Sequence, residues 1–384
     1  MSSGADVVVV GGGAVGASAA YHLAAADAGS VVLLERSDAL GTGSTGRCAG
    51  GFRHQFSSRV NIELSLVSVR MITSFQDTHG LPLDVDQHGY LFLVRSDASW
   101  RGFLAGVELQ RSLGVDVRVL RPEEAADIAP GISLDGVVGA TYCPDDGIAD
   151  PSGLTLGYGT AARRAGAEIR LGVGVTSVDV RGGRAVGVQT TDGPVGADVV
   201  IDAAGPWARE VAKTAGIDVP IDPIPRHVLV TAPFAGVPTR RTLVIDADST
   251  FYFHREGDGV LMGKGASDER PSFDLHPDER FIAEELLPTA IEVFPPLEEA
   301  SISHRWVGLY EMTPDRHPVI GSAPDVEGFY LACGFSGHGF QHAPVAGLLL
   351  AELIVDGRAT TVDVSALGLE RFASDRLIRE ARVV

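Results

Sequence analysis

The chain opens on Val7–Val10, a short run of apolar β-branched residues with the pattern of a buried parallel strand. An alanine-rich stretch from Ala14 to Ala28 follows, read as a helix, and then a second apolar run, Val31–Leu34, read as a second strand. Asn61 to His79 has a helical period, with Ile62, Leu66, Val69 and Phe75 on one face. From Leu83 the pattern changes to strand, and Gly89–Val94 reads as a central one. Ala98 to Leu113 predicts another helix, Pro122–Ala126 a short one with proline in its first turn, and Val137–Tyr142 a further strand.

Asp150 and Pro151 supply a cap and a first-turn proline for a helix reaching Ala165. The strand Ala167–Leu171 and a meander through Val173–Val180, Ala185–Thr190 and Val195–Ala197 come next, turning at Gly182-Gly183 and Asp192-Gly193. Asp198–Asp202 reads as a separate buried strand running into Ala-Ala-Gly-Pro-Trp207. Between Pro220 and Ser303 strands with prolines predominate: Val228–Thr231, Thr242–Ile245, Thr250–His254 and Val260–Gly263, then a helix over Asp278–Ile291. The strand Phe329–Ala332 leads into a glycine-rich turn, Gly334-Phe-Ser-Gly-His-Gly-Phe340, and a helix from Val345 to Val355.

At 384 residues the chain is long enough for two domains, and 45% hydrophobic residues with 47 glycines suit an α/β protein rich in tight turns. The net charge of −19 argues against nucleic acid or an anionic membrane as partner. Cys48, Cys143 and Cys333 are odd in number and widely spaced, which fits neither a disulfide framework nor a zinc site, so no metal is expected. The first strand begins by Asp6, which leaves no room for a signal peptide, and no apolar run reaches the ~18 residues of a membrane span. A cytoplasmic protein is expected.

Candidate chemistry begins between the first strand and helix. Gly11, Gly13 and Gly16 have the spacing G-x-G-x-x-G: one glycine for a tight turn, one for close approach of a pyrophosphate, one for close helix–strand packing. Ala14 and Val15 open the helix whose N-terminal amides point at the phosphates. Glu35, ending the second strand, can accept hydrogen bonds from both hydroxyls of an adenosine ribose and would repel a 2′-phosphate. No second such motif opens a helix, so one dinucleotide is expected. The loop after Glu35, from Arg36 through Ser44, Thr45 and Arg47, offers hydroxyls and a cation to the cofactor's phosphates, or is an ordinary surface loop. Ala49, Gly50 and Gly51 let backbone pass close to something flat, with Arg53 and His54 pointing into the space beside it.

Taken together, these motifs with Ala-Ala-Gly-Pro-Trp207, Met-Thr-Pro-Asp315 and Gly334–Phe340 resemble the D-amino-acid-oxidase-like FAD enzymes, and within them the branch of sarcosine oxidase and the dimethylglycine and proline dehydrogenases. The resemblance runs from about Asp6 to Gly357. It implies an α/β fold in which a Rossmann-like, glutathione-reductase-type FAD-binding domain (1–81, 143–219 and 304–384) carries a substrate domain on a large mixed or antiparallel sheet (82–142 and 220–303). It also implies an extended FAD, its adenine end at Gly11–Glu35. Val175, Ala204, Gly205 and Trp207 would lie along it, and the flavin ring where Ala49–Arg53, Arg305–Tyr310 and Gly334–Phe340 converge. Gly308, Gly334, Ser336, Gly337, His338, Gly339, Phe340 and Gln341 would surround that ring, their amides and the helix start holding the negative charge of a reduced flavin.

Arg53 matches the arginine that pairs with a substrate carboxylate in the sarcosine oxidases; otherwise it is a structural ion pair. Tyr310 matches an active-site tyrosine, and Tyr252 is a further wall candidate. His54 and His338 read as groups beside the cofactor. Three positions depart from the pattern. Gly308 stands where a cysteine links covalently to flavin, so non-covalent FAD is expected, with Cys48 and Cys333 as rival attachment points. Gln341 stands where a lysine gives the carboxylate a second partner. The lysine that promotes reaction with oxygen aligns near Leu261, and Lys264, three residues on, falls on the other strand face. The implied reaction is oxidation of a secondary amine, an N-alkyl or cyclic amino acid, by hydride transfer to flavin N5, with oxygen or another acceptor reoxidising the flavin. The alternatives are oxidation of a 2-hydroxy acid, with His54 or His338 as base, and a flavin-containing subunit of a homo- or hetero-oligomer without turnover of its own.

Overall fold

A computed structural model describes residues 4–374 and 376–381. Two large sheets carry the architecture. In the first, Ala5–Val10 lies between Val31–Glu35 and Gly193–Asp202, and all three run parallel. Glu168–Leu171 extends one side in parallel, and Phe329–Cys333 pairs in parallel with Gly193–Asp202 on the other. Buried on both faces, the central strands are continuous runs of valine, isoleucine and leucine.

The first two strands of the predicted meander are Val175–Arg181 and Arg184–Thr190, while its third, Val195–Ala197, and the predicted strand at Asp198–Asp202 are one ten-residue strand, Gly193–Asp202. Its first residues pair antiparallel with Arg184–Thr190, and from Ala197 it pairs in parallel with Ala5–Val10. A single strand therefore delivers Asp202 and the Ala204-Gly205 turn to the same end of the sheet as the Gly11–Gly16 turn.

Ala14–Ala25 forms the first helix, shorter than predicted, ending in a turn at Asp27 with φ of 54°. A Cβ on Gly16 would lie 1.9 Å from the Gly11 carbonyl oxygen, so helix and strand can meet this closely only at glycine. The other face of this helix packs on Gly339–Ala351, where Gly347 admits the Ser18 backbone. The segment Asn61–His79 is two helices, Arg59–Thr73 and Phe75–His79, broken at Ser74.

The second sheet runs in the order Ile302–Met312, Asp222–Thr231, Gly259–Lys264, Tyr252–Glu256, Leu243–Asp246, Tyr90–Val94, Gly139–Cys143, Arg118–Leu120. It is antiparallel except where Leu243–Asp246 runs parallel to Tyr90–Val94. A domain boundary at residue 304 falls inside its edge strand, Ile302–Met312, which pairs along its length with Asp222–Thr231. One face of this sheet packs on the helical run from Glu279 to Val293, through Leu229, Phe253, Met262 and Leu286. The other face carries Tyr90, Tyr252 and Leu261 toward the first sheet. No helix among the described residues is long and apolar enough to cross a membrane.

Candidate active site

Between the sheets runs a cleft of about 370 Å³, bordered at one end by Glu35 and at the other by Tyr310 and Phe340. At the Glu35 end, Gly12 N–H donates to the Glu35 carboxylate at 2.6 Å and Ser37 N–H at 2.8 Å, which fixes the acid at the cleft edge. Gly13 is the N-cap of the first helix and has no side chain to cap it, so amides of that first turn face the cleft ready for an anion. Thr45 Oγ1 takes the Ala14 N–H at 3.2 Å. The Arg36 guanidinium lies 3.7 Å from the centre of the Trp207 ring and closes one wall with it.

Of the expected cofactor residues, Gly11, Gly13, Ala14, Val15, Glu35, Arg36, Ser44, Thr45, Arg47, Ala49, Val175, Ala204, Gly205, Trp207, Gly308, Gly337, Gly339 and Phe340 border this cleft. Gly16, Gly334 and Ser336 do not. Gly16 is packed on Gly11, Gly334 against Thr313, and Ser336 Oγ accepts the Thr313 N–H at 3.1 Å. These three shape the turns rather than touch what lies in them.

A side chamber of about 80 Å³ opens from the cleft, walled by Gly50, Gly51, Arg53, Tyr90, Leu243, Ile245, Tyr252, Tyr310, His338 and Gln341. Arg53 is 4% exposed; its Nη1 donates to the Gln55 carbonyl at 2.7 Å and its guanidinium carbon lies 4.0 Å from the centre of the Phe56 ring. Burial pulls it below the usual arginine range and the carboxylate of Glu380 opposes this most strongly, yet a guanidinium stays charged.

Gln341 holds Arg53 by its backbone: Oε1 accepts the Arg53 N–H at 3.1 Å and Nε2 donates to the Arg53 carbonyl at 3.2 Å. The helix carrying Gln341 starts at Gly339, not Val345, so the Gly337–Phe340 turn is itself the helix N-terminus, with His338 as its N-cap. Pro344 sits inside it. Ser68 Oγ bridges a stretched turn there, donating to the Gln341 carbonyl at 2.5 Å and accepting the Val345 N–H at 3.4 Å.

His338 Nε2 lies 3.3 Å from Arg53 Nη2. Arginine has only donors, so Nε2 accepts and the ring proton is on Nδ1. Burial and then the Arg53 charge hold this imidazole well below the usual histidine range. His54 is not in the chamber. Its Nδ1 lies 2.8 Å from Asp146, whose carboxylate also accepts the His54 N–H at 2.7 Å, outside the chamber that Arg53 borders. Cys143 completes this buried cluster, and its thiol is pushed up by burial and by Asp146.

His342, fully buried behind Gln341, is pulled down to about 3 by burial. Its folded value lies below the unfolded 6.5, so the stability it contributes is present above 6.5 and lost as pH falls toward 3. We expect the stability gap between wild type and His342→Gln, measured by denaturant unfolding, to narrow by about 1.4 kcal/mol per pH unit of acidification below 6.5. A constant gap would show that His342 protonates freely in the folded protein.

Several bordering residues carry no local sequence signal: Tyr90, Leu243 and Ile245 in the chamber, and Arg226 and Glu311 in the cleft. Arg226 stands directly across the strand pair from Gly308, with its guanidinium 4.8 Å from the Tyr310 ring and paired to Glu269 at 2.6 Å. Lys264 points to the opposite sheet face from Leu261 and pairs with Glu285 at 3.4 Å.

A long cleft with an uncapped helix start at one end, an acid at its edge and a small cationic chamber at the other is the site of a dinucleotide-dependent oxidoreductase. The chain belongs to the family described as FAD dependent oxidoreductase, matched over residues 6–353, so FAD is its cofactor. It is 32% identical to FAD-dependent oxidoreductase domain-containing protein 1 of Xenopus laevis, over 99% of this chain and 85% of that protein. It is 31% identical to the mitochondrial sarcosine dehydrogenase of Mus musculus over 97% of this chain, which spans 42% of that longer relative. The structure of L-proline dehydrogenase from P. horikoshii superposes with a TM-score of 0.91 and 32% identity, covering 99% of this chain and 100% of that one.

Proposed function

We propose that this protein oxidises a small secondary amine bearing a carboxylate, an N-alkyl or cyclic amino acid, to the imine. One observation carries the reading: every titratable group of the side chamber is held away from neutrality. Burial pushes the Cys48 thiol up to about 12 and raises the phenols of Tyr90, Tyr252 and Tyr310, His338 is driven down, and Arg53 stays charged. A hydroxy acid needs a base for its hydroxyl proton, and the two candidates fail: His338 Nε2 is tied to Arg53 and His54 lies outside. An amine that enters neutral, with its lone pair free, needs none. The names of the relatives, sarcosine dehydrogenase and L-proline dehydrogenase, support the same substrate class.

FAD, when bound, supplies the two-electron acceptor, with flavin N5 as the hydride-accepting atom. In this reading the first sheet is a glutathione-reductase-type FAD-binding unit and the second the substrate domain. The first-turn amides of Gly13 and Val15 would hold the pyrophosphate, with Thr45 fixing the Ala14 amide between them, Glu35 would hold the ribose, and the turn at Gly337–Phe340 the flavin end. Arg53 pairs with the substrate carboxylate in the fork geometry a guanidinium offers, while Gln341 keeps its backbone fixed. Tyr252 and Tyr310 wall the amine, and a side chamber of about 80 Å³ suits a small amino acid.

Gly308 supplies no atom to bond a flavin, and a Cβ there would meet Arg47 at 3.3 Å. Acid precipitation of the holoprotein should therefore leave a colourless pellet and a yellow supernatant. A yellow pellet that turns colourless in Cys48→Ser would place a linkage at Cys48, the cysteine among the described residues that borders the cleft. The reading as a whole is tested by anaerobic reduction of the bound flavin with amines and hydroxy acids.

A further inference from the structure

Glu311 borders the cofactor cleft at the end of the strand Ile302–Met312. The backbone amides of Gly334 and Phe335 lie close enough to its carboxyl to favour the ionised form. It lies between the Ala204-Gly205 turn and the start of the helix Gly339–Ala351: a Cβ on Gly339 would be 3.7 Å from Oε1, and one on Gly205 would be 3.8 Å from Oε2. Oε2 is shut off from solvent and has no hydrogen-bond partner among the described residues. A second acid, Asp202, reaches the same place from the end of Gly193–Asp202; it is fully buried, its Oδ1 accepts the Ala204 N–H at 3.1 Å, and its Oδ2 is likewise unpartnered. Glu210, from the helix Ala208–Thr214, acts on Asp202, and both acids raise the buried thiol of Cys333. Among the described residues no arginine, lysine or histidine forms an ion pair with Glu311 or Asp202, and the Oε2 and Oδ2 atoms stay unpartnered.

Asp202 is fully buried and Glu311 is half-buried with its Oε2 shut off, so full ionisation of both carboxyls at one place without a paired cation is disfavoured. The same cleft gains negative charge whenever its flavin takes up two electrons. We propose that Glu311 is a proton store for the cofactor cleft, taking up a proton by way of the cleft it borders when bound FAD is reduced and releasing it on reoxidation. The electrons go to the flavin together with one proton, as in a hydride; a second proton forms the O–H bond on Glu311 and offsets the new charge. Burial supports this by raising the Glu311 carboxyl to about 7 before any flavin charge is added, so the acid is poised to respond at neutral pH.

The test is the midpoint potential of the bound flavin against pH, with electrons from an electrode. Reduction then needs no substrate, and failure of the amine reading leaves this result untouched. In wild type the potential should fall across the neutral range with two protons per two electrons, twice the slope of a hydride-like reduction. The infrared difference spectrum between reduced and oxidised protein should show a protonated carboxyl gained on reduction. In Glu311→Gln the slope should halve and that band should vanish. Should Glu311→Gln fail to hold FAD, Glu311→Asp should displace the pH at which the steep slope begins. A one-proton slope in wild type, a second proton that persists in Glu311→Gln, or an unmoved onset in Glu311→Asp overturns the proposal.

Discussion

Replacing Arg53 by alanine should lower kcat/KM for a carboxylate-bearing amine by about 100-fold or more, mostly through KM, while FAD stays bound. The size follows from the surroundings. Truncating one partner of a buried, hydrogen-bonded charge pair costs about 2–5 kcal/mol, much of it from the partner left unpaired. Arg53 is 4% exposed, stacked on Phe56 and held by Gln341 at both its N–H and its carbonyl, so its head is already placed and little ordering entropy is spent on binding. It borders the side chamber and not the long cleft, which is why the cofactor should remain. Arg53→Lys should recover only part of the loss, since an ammonium cannot match both carboxylate oxygens in plane. Steady-state kinetics with a matched pair of substrates, one with and one without the carboxylate, checks this. An equal loss for both would make Arg53 a structural residue.

The second large effect separates two glycines of one motif. Gly16→Ala drives its Cβ to 1.9 Å from the Gly11 carbonyl, a contact with backbone that cannot rotate away. The helix must move off the strand, and the expected result is a protein about 1–3 kcal/mol less stable even without FAD, if it accumulates at all. Gly13→Ala meets only Thr45 Oγ1, at 3.4 Å, so the apoprotein should fold with ordinary stability. Its new methyl group occupies space the pyrophosphate needs, and FAD affinity should fall by at least about 100-fold. Denaturant unfolding of the apoproteins and fluorescence titration with FAD read the two effects separately. Ordinary FAD affinity in Gly13→Ala would mean that the phosphates lie elsewhere.

Much of the cofactor end is legible in the amino-acid order because its parts are local. Strand, glycines, helix, strand and Glu35 follow one another within a single unit, and each has its own steric or electrostatic reason. The side chamber is different. Tyr90, Leu243, Ile245 and Tyr252 meet because Leu243–Asp246 pairs with Tyr90–Val94 and with Tyr252–Glu256, a register that no local pattern encodes. Glu311 and Arg226 reach the cleft through the pairing of Ile302–Met312 with Asp222–Thr231. The helix start at Gly339 is hidden by two glycines and Pro344, because the bridge that repairs it, Ser68, belongs to another helix.

His54 is another kind of error. Its adjacency to Arg53 suggests a basic pair facing one ligand, whereas its backbone N–H and its ring both turn to Asp146. Strand period two correctly separates Lys264 from Leu261. Gln341 likewise changes meaning in three dimensions. Its neutral amide reads as a weakened substrate ligand, while its geometry makes it the clamp on the Arg53 backbone.

The central claim is that the side chamber oxidises a small amino-acid-like secondary amine with no base among its own side chains. Its most direct test is anaerobic: the purified holoprotein is mixed with sarcosine, L-proline and related N-alkyl amino acids, and separately with 2-hydroxy acids, while the flavin absorbance is followed. Bleaching by one or more of the amines, with none by the hydroxy acids, is the predicted result. Bleaching by a hydroxy acid alone, or a flavin that stays oxidised with every compound of a broad amine panel, would contradict it.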